Sequence, residues 1–315
     1  MAKFTGLLLI GELIALSYVG GVSQAAVLTG ISYLLFPELA ALSYDVFTRP
    51  TGTWARAPFL LVATPLITAV IGLLIEQYLG YGVLSILLAV SFALLVIKLL
   101  NSPIAPAIPA GLLPIVLEEK SWWYPAAILF GTSLLVLGLY IYKRVFSELI
   151  FPRKNDPSNL IDDIVEQPPK QYAWLPFFIV FLLADVYLAK LSGLRFILFP
   201  PLIVIAYEMF AHPHVCPWAD KPILLVIACV LAAAVGTGSE MMLGNNPLPV
   251  MLSMVASMFI IRSFRLHAPP AVAIGLLPFV IDRPDFRFPL AVGTGTVLLI
   301  ITFAVYRAFV LRKTG

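Results

Sequence analysis

The chain has 315 residues, 61% of them hydrophobic and 12% charged, with a formal net charge of +3. That balance excludes an ordinary soluble domain, and so small a basic surplus gives no reason to expect a nucleic-acid partner. Cys216 and Cys229 lack metal-ligand spacing, so neither a disulfide framework nor a zinc site is expected. Apolar runs close to the spanning length of about 20 residues recur along the chain. The expected fold class is therefore an all-α polytopic membrane protein surrounded by the lipid bilayer.

In chain order, the first apolar segments run Phe4–Val19, Val22–Phe47, Pro58–Leu79, Val83–Leu100, the proline-rich Pro103–Leu117, and Trp122–Tyr142. The first mimics a signal peptide, but Glu12 interrupts it, and it reads as a retained helix. A polar stretch follows from Glu148 to Lys170 with Arg153, Lys154, Asp156, Asp162, Asp163 and Glu166, a solvated linker with room for a short amphipathic helix over Leu160–Val165. The second set runs Trp174–Ala189, Phe196–Phe210, Pro222–Leu243, Pro247–Phe264, Ala268–Ile281 and Phe288–Tyr306.

The two sets match. From Trp54 to Phe146 the chain aligns without gaps to Trp218 to Val310, 164 residues later. Matched pairs include Trp54/Trp218, Pro58/Pro222, Gly72/Gly236, Glu76/Glu240, Pro106/Pro270 and Pro125/Pro289. Upstream the offset falls by one, and Leu35–Pro50 matches Leu198–Pro213. A self-match of this length reads as duplication of a unit of roughly 150 residues. The expected organisation is a first membrane repeat over 1–147, a polar linker over 148–170 and a second membrane repeat over 171–315. If every segment crosses and the N-terminus is cytoplasmic, 15 Lys and Arg residues lie inside against 5 outside. That is the usual cytoplasmic excess, and it predicts parallel repeats with both termini in the cytoplasm of a cell or inner membrane.

The most informative stretches are Ser102–Val116 and Leu266–Val280, which share Gly-Leu-Leu-Pro at 111–114 and 275–278. Proline cannot donate an interior helical hydrogen bond and fits best at a helix start. Each stretch therefore predicts a short half-helix beginning at its prolines, which either crosses the membrane or re-enters it; re-entry lowers the crossing count and weakens the charge argument. A helix start exposes unpaired N–H groups and a partial positive charge. Two of them facing one wet pocket at a repeat interface make an anion site. The candidate binding residues are Pro106 and Ala107 in the first copy and His267, Pro269, Pro270 and Ala271 in the second. The alternative is that the prolines only kink packed helices. His267, matched by Pro103, either donates to an anion or caps the half-helix.

Lys98, Arg262 and Arg265 precede the two stretches and suit an anion vestibule, although the positive-inside bias alone also explains them. Acids within spans default to function. Asp45 and Glu208 form one matched pair, and Glu76 and Glu240 another; all four are proton-coupling candidates. Solvated helix ends explain the second pair as well, and an ion pair to Arg49 four residues on explains Asp45. No nucleophile, metal set or cofactor motif stands out: the protein is expected not to be an enzyme and to hold no cofactor or metal.

These residues carry a resemblance. Arg265-Leu266-His267-Ala268-Pro269-Pro270-Ala271-Val272-Ala273 resembles the motif of the HPP family of integral membrane proteins, named for a His-Pro-Pro sequence before a short apolar run. Pro125 and Pro289, each opening a helix of small residues, also fit. The resemblance covers most of each unit. Here an alanine separates His267 from the proline pair, and the first unit has no histidine at that place. What the resemblance implies is a small-anion transporter, nitrite being the substrate of some members. The alternatives are an uncoupled channel for a small solute and a structural or regulatory membrane protein, and any of these can form a homo-oligomer.

Overall fold

The computed structural model describes residues 2–150, 164–169 and 171–310. The linker charges Arg153, Lys154, Asp156, Asp162, Asp163 and Lys170, and most of the expected Leu160–Val165 helix, lie outside the described residues. Every regular element among the described residues is helical, and none is a strand. In the first half they form α1 (Ala2–Thr29), α2 (Glu38–Thr48), α3 (Thr53–Arg56), α4 (Pro58–Leu79), α5 (Val83–Leu99), α6 (Ala107–Leu117), α7 (Trp123–Val145) and α8 (Ser147–Ile150). In the second they form α9 (Leu175–Ser192), α10 (Pro200–Ala211), α11 (Pro222–Leu243), α12 (Pro247–Ser263), α13 (Pro270–Leu276) and α14 (Arg287–Phe309). A 3₁₀ turn precedes α2 at Ser32–Leu34 and α10 at Arg195–Leu198, and another, Leu277–Phe279, extends α13.

Six helices (α1, α4, α7, α9, α11 and α14) are long and apolar enough to cross a membrane. The long helices bury under half of their apolar windows and turn residues such as Phe59, Leu137, Met242 and Ile301 outward. The short helices do the opposite. Every residue of α13 is buried, and so are all but the last residue of α6 and of α10 and nearly all of α2. The molecule thus has a buried centre of short helices within a half-exposed surround of long ones, a distribution suited to an apolar solvent.

Equivalent helices share their dimensions. Helices α4 and α11 have 22 residues each, α5 and α12 have 17, and α7 and α14 have 23. Contacts between the halves run crosswise. Helix α2 packs on α13, α10 on α6, and α1 on α12.

Two expectations need correction. Gly20-Gly21 does not end the first segment: α1 runs on to Thr29, and the break falls at Gly30, whose φ of +71° favours glycine. Nor do all six segments of a half have spanning length. Helix α6 has 11 residues, about 16 Å at 1.5 Å per residue. Helices α2 and α10 have 11 and 12, and α13 has 7. The charge count above assumed that all of these cross, so it loses its basis.

Candidate functional site

Both short helices begin at their prolines. Pro106 caps α6, and Pro269 caps α13, with Pro270 as the first helical residue. Each is held against the long helix before it by a pair of glycines. A Cβ on Gly72 would overlap the Gly111 carbonyl oxygen, and one on Gly236 would overlap that of Gly275. Only hydrogen side chains allow so close a crossing of backbones.

The prolines inside these segments leave carbonyls without donors, and the two halves answer differently. Pro114 removes the N–H that would reach Ala110, and Tyr124 donates its hydroxyl to the Ala110 oxygen at 2.7 Å. In the second half the segment tightens to a 3₁₀ turn at Leu277–Phe279. A 3₁₀ bond reaches back three residues, so Pro278 orphans Gly275, and Ser253 Oγ donates to the Gly275 oxygen at 2.7 Å. The positions equivalent to Tyr124 and Ser253 are Phe288 and Ala89, neither of which can donate.

The starts of the two helices also differ. Trp54 Nε1 donates to the Pro103 carbonyl at 3.0 Å. Its equivalent, Trp218 Nε1, is buried and has no hydrogen-bond partner among the described residues. Trp218 lines a cavity of about 20 Å³ with Trp54, Arg49, Glu166, Glu208, His267, Pro269 and Pro270. That is room for about one water. The cavity lies where the halves meet: Arg49 and Trp54 come from the first, Glu208, Trp218 and His267 from the second.

Arg49 organises the charge there. It ends α2, and its Nε donates to Asp45 Oδ1 at 2.7 Å. Its outer nitrogen pairs with both Asp45 and the linker residue Glu166. Glu208 is buried on α10 and lines the same cavity. His267 lies in the loop before α13, outside the six long helices. Burial, and then the charge of Arg49, push its pKa down to about 4, against an opposing pull from Asp45. The ring is therefore neutral at neutral pH, able to donate one hydrogen bond and accept another.

The structure thus brings together His267, Pro269, Pro270, Glu208 and, through Arg49, Asp45. It does not bring both helix starts to this cavity. Pro106 and Ala107 are buried at the start of α6, where the Ala107 oxygen accepts from Thr68 Oγ1 at 2.6 Å, and neither lines it. Ala271 is buried just behind the lining. The three basic candidates have other surroundings. Arg262 pairs with Glu12 on α1. Lys98 lies over the Tyr172 ring, 4.6 Å from its centre. Arg265 is exposed in a left-handed conformation (φ 50°), and its carbonyl accepts from Lys221 Nζ at 2.7 Å. Glu76 and Glu240 occupy the last turns of α4 and α11, 18 residues or some 27 Å along from the helix starts. Sequence reading missed Glu166 and Trp218 as site residues and treated Arg49 as no more than a partner for Asp45. The matched tryptophans were visible, but the lost bond at the second one was not.

Among the described residues, no group of three or more His, Cys, Asp or Glu side chains is placed to hold a metal ion. No family model matches the chain, and no curated protein or solved structure is significantly similar to it.

Proposed function

We propose that this protein is a multi-pass membrane transporter, built from two copies of one helical unit, that moves a small inorganic anion together with a proton. Nitrite is the leading substrate, from the likeness to the HPP family at Arg265–Ala273. The duplication is supported by the equal lengths of three helix pairs and by the matched glycine crossings. A membrane setting is supported by six long apolar helices around a buried centre.

The observation that carries the transport reading is the water-sized cavity at the junction of the halves. There a buried indole N–H without a partner among the described residues, a neutral imidazole and a paired guanidinium meet buried carboxyls. Groups of this kind within a membrane protein mark ion and proton paths. Trp218, His267 and Arg49 supply the donors for an anion. Asp45, Glu166 and Glu208 are the carboxyls beside these donors, and one of them carries the proton that accompanies the anion. A three-atom anion does not fit the cavity as it stands, so binding requires the halves to part, as in alternating access.

The test is uptake by proteoliposomes holding the full chain, with nitrite, nitrate, formate and chloride offered under an inward proton gradient. Uptake of nitrite that rises with the gradient and falls at least tenfold in His267→Ala supports the reading. Anion uptake indifferent to the gradient points to an uncoupled channel. No movement of any of the four leaves a structural or regulatory role.

A further inference from the structure

The crosswise packing has two equivalent seams, and only one is closed. Along the first, α1 lies on α12. Gly20 sits against the side chain of Met251, and Glu12 pairs with Arg262. Along the second, α9 meets α5 at only a few residues. Helix α9 has 18 residues where α1 has 28, so it leaves part of the seam unfilled. The result is a groove of about 370 Å³ between α5 and α9, within the range of small-molecule sites. Its walls are apolar, with Leu87, Val90 and Leu94 on one side and Phe178 and Leu182 on the other. Lys98, Tyr172 and Trp174 also line it.

Lys98 is the positional equivalent of Arg262. Arg262 has the Glu12 carboxylate, but no carboxylate among the described residues pairs with Lys98, which rests only on the Tyr172 ring. At the closed seam the chain itself shows what fits: an apolar rod bearing an anionic group. Among the described residues, the open seam lacks that same apolar volume and that same negative charge. Tyr and Trp beside a cation are the residues found where a bilayer meets water.

We propose that the α5–α9 groove holds an acyl chain of an anionic phospholipid, with its phosphate on Lys98. This rests on the membrane reading of the chain and not on transport. The lipid completes the second seam as Glu12 and α1 complete the first, and it ties the first half to the second.

The experiment is native mass spectrometry of the purified full chain equilibrated with equimolar phosphatidylglycerol and phosphatidylcholine. The wild type is expected to retain the anionic lipid in roughly fivefold preference, the ratio one lysine near an anionic surface gives. Lys98→Gln is expected to abolish the preference, and Arg144→Gln, an exposed cation in the last turn of α7, to keep it. Ser91→Phe, which fills the groove, is expected to lower retention of both lipids. Equal retention of the two lipids by the wild type, a preference that survives Lys98→Gln, or full retention in Ser91→Phe each overturns the assignment. A chain that stays soluble without detergent and retains neither lipid contradicts the membrane reading itself.

Discussion

Helices α6 and α13 share a backbone route, a proline start and a glycine crossing, yet they are supported by different side chains. In the first half Tyr124 repairs the gap left by Pro114, and Trp54 is tied to the Pro103 carbonyl. In the second, Ser253 repairs the gap left by Pro278, and Trp218 has no tie among the described residues. The same difference falls where Pro103 is replaced by His267. The first half therefore spends its polar groups on holding α6, while the second leaves donors at the cavity. Crossings common to both halves set the architecture; the groups that differ, Trp218 and His267, line the cavity between the halves.

The largest effects are expected where the halves agree. Gly72→Ala and Gly236→Ala each drive a methyl into backbone that cannot swing away. Each should cost about 3 kcal/mol or more, the upper end for overpacking, read as a fall in the detergent melting temperature. Unchanged melting in either would show that the two crossings are looser than described.

Next comes Arg49. Arg49→Gln removes the guanidinium that pairs with the buried Asp45 and Glu166, and breaking a buried pair in this way costs about 3–5 kcal/mol. Asp45→Asn with Arg49→Gln should recover part of the loss, which a thermal double-mutant cycle measures.

The third effect is a pH slope. His267 has a folded pKa of about 4 against 6.5 for a free histidine. Between those values the unfolded chain binds the proton and the folded chain does not, so stability falls as pH drops from about 6.5 to 4. The loss is at most about 3 kcal/mol over that window, from 1.36 kcal/mol per unit. His267→Gln should flatten this part of the melting-temperature profile, while a mutant as steep as wild type would assign the slope elsewhere.

The smallest effects are the two repairs. Tyr124→Phe and Ser253→Ala each orphan one buried carbonyl, for about 1–3 kcal/mol. The reciprocal positions already lack a donor, so Phe288→Leu should show no hydrogen-bond loss beyond its packing cost.

The sequence made the helical class and the proline starts legible because apolar length and missing N–H groups are local properties. The bounds of α4 and α11 are those of their apolar runs, since proline opens and glycine closes each one. What could not be read was the crosswise packing. That Glu12 meets Arg262, 250 residues away, has no local signal. The same holds for Lys98, which lies over the ring of Tyr172, 74 residues further along the chain. Likewise the identical tryptophans conceal that only Trp54 keeps its carbonyl.

The most direct test sets those tryptophans against each other in gradient-driven nitrite uptake by proteoliposomes. Trp218→Phe deletes a donor at the cavity and is expected to cut the uptake rate about tenfold with little change in melting temperature. Trp54→Phe breaks a structural bond and is expected to lower the melting temperature while transport by the folded fraction persists. Equal uptake losses in the two, or normal uptake in Trp218→Phe, would contradict a substrate path through the second half's helix start.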